Sequence, residues 1–261
     1  MEPNRLDGVD TGLDLAGRRD FLPLQVTCLT DFSPMPRAPD NTNRLVEIGR
    51  TGTGKTVVGL WHLTNYPIDV EPWVILNLKG DEHIEGIPNA RFLPDLSYVP
   101  GKKDRGVFVV SPSIYDLEGS LKEDSALDQY LLKLWEREKI GIFVDEGFML
   151  GRSKPFILNL TQGRSKRIPM IVCTQKPKWI TGFVFSEASF IQVFDLNDDK
   201  DIQRVEEFVP IDWDSEPPLK PHQSFYYEVA TNEIVRFNPC PPMKDINKVF
   251  AEKLYRNWVA V

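Results

Sequence analysis

Residues 49–56 read Gly49-Arg50-Thr51-Gly52-Thr53-Gly54-Lys55-Thr56. The spacing is Gly, four residues, then Gly-Lys-Thr, the pattern of a phosphate-binding loop. Glycines let the backbone adopt positive φ and come close to a phosphate, because they carry no Cβ. The N–H groups of such a loop, and of the helix it opens, form a concavity for anions. Lys55 is suited to neutralise β- and γ-phosphates, and the Thr56 hydroxyl to ligate Mg²⁺. Arg50 has two readings, a phosphate contact or simple exposure.

The flanking sequence agrees with this reading. Leu45–Ile48 is a short apolar run suited to a buried strand. Thr56–Tyr66 is apolar at helical spacing and stops before Pro67. From there strands and helices alternate, which predicts a mostly parallel sheet flanked by helices, an α/β fold. Strands are expected at 73–78, 107–110, 140–144, 168–174 and 189–196. Helices are expected at 121–139, within 155–167 and at 198–209. The character then changes: segments 224–229 and 233–237 flank Ala230-Thr231-Asn232 as a β-hairpin, and 245–259 reads as a terminal helix with Phe250, Leu254, Tyr255 and Trp258. The organisation expected is an extended N-terminal arm at 1–43, a core at 44–209 and a hairpin-and-helix extension at 210–261. The arm carries one apolar patch, Phe21–Cys28, and a proline-rich stretch, Ser33–Asn43.

With 261 residues and 41% hydrophobic content, the chain is long enough for one large α/β domain. Its net charge of −7 argues against a surface that coats nucleic acid, yet leaves room for a local basic loop. Cys28, Cys173 and Cys240 are widely spaced and fit reduced thiols. No apolar run approaches the length that crosses a bilayer, and the polar N-terminus is unlike a signal peptide.

Three further features carry chemistry. Ile140–Val144 is an apolar strand that ends in Asp145-Glu146. This is the Walker B pattern, in which Asp145 would hold the Mg²⁺ shell and Glu146 would activate water as general base. After the strand 168–174 comes Thr174-Gln175-Lys176-Pro177, where Gln175 can both donate and accept and so suits a sensor of the γ-phosphate. Finally, no acid occurs between Gly147 and Ser186, while Arg152, Lys154, Arg164, Lys166, Arg167, Lys176 and Lys178 all do. Cations in this zone have two functional readings: entry into a neighbouring subunit's site, or contact with nucleic-acid phosphates.

Taken together, the phosphate loop, the strand followed by Lys79-Gly80-Asp81-Glu82, Asp145-Glu146, and Cys173-Thr174-Gln175-Lys176-Pro177 preceded by Arg164 resemble the HerA/FtsK superfamily of P-loop ATPases. The family's strand ends Ala-Thr-Gln-Arg-Pro; here Lys176 stands in place of that Arg. The resemblance covers about 44–209 and implies a RecA/FtsK-like P-loop NTPase fold that uses ATP and Mg²⁺. It implies Lys55, Thr56, Asp145, Glu146 and Gln175 at the hydrolytic site, and Arg164 as the finger acting in trans, with Arg167 in reserve. It also implies a homo-oligomeric ring, usually a hexamer, that threads double-stranded DNA. The N-terminal barrel of HerA helicases, membrane spans and a winged helix are not evident. The expectation therefore narrows to genome-packaging ATPases of membrane-containing icosahedral viruses. Such a protein would act in the host cytoplasm or the virion and dock on portal-vertex or viral membrane proteins. The alternatives are a nucleotide-switched phage assembly protein related to zonula occludens toxin, or a host-type DNA-translocating ATPase. A P-loop kinase fits poorly with the Asp145-Glu146 pair.

Overall fold

Continuous apolar runs in the chain become strands buried on both faces, the signature of a covered parallel sheet. The protein's structure, a computed structural model, describes residues 39–118 and 125–255. The proposed arm up to residue 38, the patch Phe21–Cys28, residues Leu121–Asp124 and Trp258 lie outside the described residues.

The chain enters through β1 (Arg44–Ile48), turns through the phosphate loop and continues as α1 (Lys55–Asn65). Then follow β2 (Trp73–Asn77), a one-turn α2 (Glu82–Glu85), β3 (Arg91–Leu93), β4 (Val107–Val110) and a one-turn α3 (Ile114–Leu117). The middle of the chain forms α4 (Ala126–Arg137), β5 (Gly141–Asp145), α5 (Lys154–Gln162), β6 (Met170–Thr174), a one-turn α6 (Phe183–Ser186) and β7 (Phe190–Val193). The last elements are α7 (Asp199–Glu206), β8 (Ser224–Glu228), β9 (Glu233–Phe237) and α8 (Met243–Tyr255). Helix boundaries follow their caps: Ser125 accepts from Asp128 N to start α4, and Ser153 accepts from Phe156 N to start α5.

The nine strands of the described residues form one sheet in the order β3-β4-β2-β5-β6-β1-β7-β8-β9. β3 through β7 are parallel, and β8 and β9 are antiparallel. The expected hairpin therefore does form, and it extends the main sheet by pairing with β7. Side chains alternate between faces with period 2. Val46, Val74, Ile142 and Val172 meet α4 and α5 through Leu131, Leu134, Phe156 and Leu160 on one side. Leu45, Trp73, Phe143 and Ile171 meet α1 and α8 through Leu60, Leu63, Phe250 and Leu254 on the other. β2 and β5 approach closely: a Cβ on Gly141 would lie 2.1 Å from the Trp73 ring. Because the strands from β3 to β7 run in parallel, the residues that follow each of them gather at a single edge of the sheet.

Candidate nucleotide-hydrolysis site

That edge carries the phosphate loop after β1, Asp145-Glu146 at the end of β5, and Gln175 after β6. β6 pairs with both β1 and β5, so the three stretches are neighbours. Gly49 N donates to Thr174 O at 3.3 Å, and Arg50 N donates to Asp195 O at 3.1 Å, fixing the loop across the ends of β6 and β7. Gly54 has φ 98 directly before α1, a left-handed conformation that a side chain would strain. Inside the loop, Arg50 O accepts from Thr53 Oγ1 at 2.8 Å and from Lys55 Nζ at 3.0 Å. Burial pulls the Lys55 ammonium below its ordinary 10.5, partly offset by the nearby Glu146 carboxylate.

Thr56 Oγ1 donates to Asp145 Oδ1 at 3.2 Å. Asp145 Oδ2 is buried without a hydrogen-bond partner. Burial first, and then Glu146 next door, push the Asp145 carboxyl up to about 6. A hydroxyl beside a carboxylate with a bare oxygen fits Mg²⁺, which takes one or two protein groups and fills the rest of its octahedron with water and phosphate. No group of three or more His, Cys, Asp or Glu that could hold a metal by itself occurs among the described residues.

Glu146 has φ 65, a left-handed conformation uncommon outside glycine. Its Oε2 accepts from Gln175 N at 3.3 Å, and its Oε1 lies 4.0 Å from Lys79 Nζ. Burial raises the Glu146 carboxyl above its ordinary 4.5, against the pull of Lys55. Gln175 Oε1 accepts from Thr51 Oγ1, tying the candidate sensor to the phosphate loop. Lys55, Thr56, Asp145, Glu146, Thr51 and Gln175 are thus brought together. Arg50 turns aside: its Nε pairs with Asp195 Oδ2 at 2.7 Å.

Arg164 and Arg167 are not part of this cluster. Both lie in the turn between α5 and β6, at the edge where the parallel strands begin. Arg167 Nη2 pairs with Glu71 Oε1 at 2.8 Å. Arg164 is exposed, and no side-chain hydrogen bond or ion pair of it occurs among the described residues.

Three residues at the site edge had no role assigned from the sequence. Lys79 sits 3.6 Å from Asp81 Oδ2 as well as near Glu146. A charged triplet after a strand was a usable signal, but its meaning depended on β2 lying beside β5. Asp195 follows β7. His222, from the loop before β8, places Nδ1 3.2 Å from Thr53 O. Nothing local in the sequence marks either of these two.

A glycine-rich loop between strand and helix, with an Asp-Glu pair and a polar sensor on the adjoining strands, defines a P-loop NTPase. No protein-family profile matches the chain. It is, however, 39% identical over 214 residues to the DNA packaging ATPase P9 of Enterobacteria phage PRD1, an alignment spanning 78% of this chain and 90% of that protein. The chain therefore belongs to the family of that packaging ATPase. Solved structures agree in fold. The genome packaging NTPase B204 from Sulfolobus turreted icosahedral virus 2, in complex with AMPPCP, has a TM-score of 0.60 at 15% identity, covering 77% of this chain and 100% of that one. The pCW3 conjugation coupling protein TcpA, with ATPgS, has a TM-score of 0.50 at 15% identity, covering 80% of this chain and 65% of that one.

Proposed function

We propose that this chain is an ATP-driven motor that packages double-stranded viral DNA, working as a homo-oligomeric ring, with a hexamer the expected size. The observation that carries this reading is the convergence of Lys55, Thr56, Asp145, Glu146 and Gln175 on one sheet edge in a chain of this family. The phosphate loop and Lys55 would bind the triphosphate, and Thr56 with Asp145 would hold Mg²⁺. When bound, Mg²⁺ supplies charge neutralisation across the β- and γ-phosphates. Glu146, raised in pKa and oriented by Gln175 N, would take a proton from the attacking water at a carboxylate oxygen. Lys79 keeps that carboxylate company without pairing tightly, at 4.0 Å. Gln175, hydrogen-bonded to Thr51, would register the γ-phosphate and pass its loss to β6. Arg164, at the opposite edge, would complete the site of a neighbouring subunit. In a capsid setting the ring would dock on portal-vertex or viral membrane proteins, in the host cytoplasm or the virion. Among the described residues, no helix is long and apolar enough to cross a membrane.

The test is ATP hydrolysis with and without duplex DNA under conditions where a ring forms. DNA should stimulate the wild-type rate. Glu146→Gln should bind ATP normally and hydrolyse it about 10²–10⁴-fold more slowly. A wild-type ring whose rate ignores DNA would overturn the translocase reading, and a fully active Glu146→Gln would remove that residue from the base role.

A further inference from the structure

We propose that His222 receives the nucleobase and selects adenine. The inference rests on the nucleotide reading above and extends it to the other end of the ligand. Glu146 and Gln175 fix where the γ-phosphate must be, on the β5 and β6 side of the phosphate loop. The strands lie in the order β5-β6-β1-β7-β8. A triphosphate laid over the loop after β1, with its γ end toward β5 and β6, directs its nucleoside toward β7 and β8.

The residues waiting there come from outside the phosphate-binding machinery. β8 is antiparallel to β7, with Val193 opposite Phe225, so the loop leading into β8 sits at the same edge as the phosphate loop. This loop is a tight turn: Gln223 N donates to Lys220 O, and Lys220 N donates to Gln223 Oε1, both at 3.0 Å. Gln223 Nε2 also donates to Asn238 Oδ1 at 3.0 Å, anchoring the turn to the chain that leaves β9. At its tip His222 has φ 62, is exposed, and reaches back to the phosphate loop. Its Nδ1 lies 3.2 Å from Thr53 O and would lie 3.2 Å from a Cβ on Gly54. The side chain thus crosses from the C-terminal hairpin to the phosphate loop and closes the nucleoside side of the site.

The contact also fixes the chemistry of the ring. A carbonyl oxygen only accepts, so Nδ1 carries the hydrogen and donates to Thr53 O. In the neutral ring Nε2 is then an acceptor, on the side turned away from the phosphate loop. Adenine offers an exocyclic amino group as donor; guanine has a carbonyl at that position, which would oppose the acceptor. Discrimination by a single well-placed polar group of this kind is effective because the wrong base leaves the group unpaired.

Calorimetric titration of the full chain with ATP, GTP and inorganic tripolyphosphate, in the presence of Mg²⁺, tests this. Wild type should prefer ATP to GTP. His222→Ala should weaken ATP binding about tenfold and erase the preference, while tripolyphosphate binding stays within about twofold. His222→Asn tolerates the same left-handed backbone but is shorter than the imidazole, and should behave like His222→Ala. Equal weakening of ATP and tripolyphosphate would reduce His222 to a prop for the phosphate loop and overturn the proposal. So would unchanged ATP binding in His222→Ala, or wild-type affinity in His222→Asn. A wild-type chain that binds tripolyphosphate but no nucleotide better would overturn the base site alone. One that binds none of the three ligands would overturn the nucleotide reading beneath it.

Discussion

Glu47 lies between two apolar residues of β1, on the face that alternation turns toward α1. It is fully buried, and neither carboxyl oxygen has a hydrogen-bond partner. His62 Nε2, on α1, is 3.4 Å from Glu47 Oε1 but 2.7 Å from Gln192 Oε1. An amide oxygen accepts, so Nε2 carries the hydrogen toward Gln192, and Gln192 Nε2 in turn donates to Ser224 Oγ at 2.7 Å. Burial raises the Glu47 carboxyl well above its ordinary 4.5 and depresses His62 from 6.5 to about 4. Both shifts favour the neutral forms over an ion pair. Their effects on stability have opposite signs. The depressed His62 contributes stability that is complete above pH 6.5 and is lost as pH falls toward 4. The raised Glu47 contributes stability that is complete below pH 4.5 and is lost as pH rises toward its folded pKa. Glu47→Gln removes only the second dependence. Denaturant unfolding at about pH 6 and about pH 8.5 should show the variant gaining stability relative to wild type as pH rises between the two. An identical difference at both pH values would mean that Glu47 is already ionised in the fold.

Among the elements, the contact of β2 with β5 is the least tolerant. A Cβ on Gly141 would lie 2.1 Å from the Trp73 ring, which is buried against α1 and cannot move aside cheaply. Gly141→Ala should cost ~3 kcal/mol, seen as a lowered melting temperature, and a variant as stable as wild type would refute the packing. Nothing in the sequence announced this pairing. Val107–Val110, Ile140–Val144 and Trp73–Leu78 were legible as strands because a strand covered on both faces is apolar throughout. β3, with three residues of which Phe92 is exposed, carried no such signal, nor did the one-turn helices α2, α3 and α6. A single turn offers no period to read. The hairpin could be read from its turn, but its partner could not, because the pairing of β8 with β7 is a non-local choice. The site divides along the same line. Lys55, Thr56, Asp145, Glu146 and Gln175 were legible because each closes a recognisable strand or opens a helix. Lys79, Asp195 and His222 act across strands, and their contacts depend on an order that local sequence does not encode.

For the whole molecule, the distance between Arg164 and the phosphate loop matters most, since one lies where the parallel strands begin and the other where they end. Within one subunit Arg164 has no route to the γ-phosphate of its own site. Lys55→Ala and Arg164→Ala chains should each be inactive alone. Mixed in equal amounts, they should recover about a quarter of wild-type hydrolysis, the chance that a subunit keeping Arg164 abuts one keeping Lys55. No recovery at any ratio would confine Arg164 to a structural role. The parallel run from β3 to β7 has a further consequence. It gives the subunit two chemically unlike ends, so in the proposed ring the Arg164 end of one copy would face the phosphate-loop end of the next. Copies in such a ring would follow one another head to tail, every subunit pointing the same way around. A closed circle of that kind has a built-in sense of rotation, so the order in which its sites fire can have a direction without any external cue.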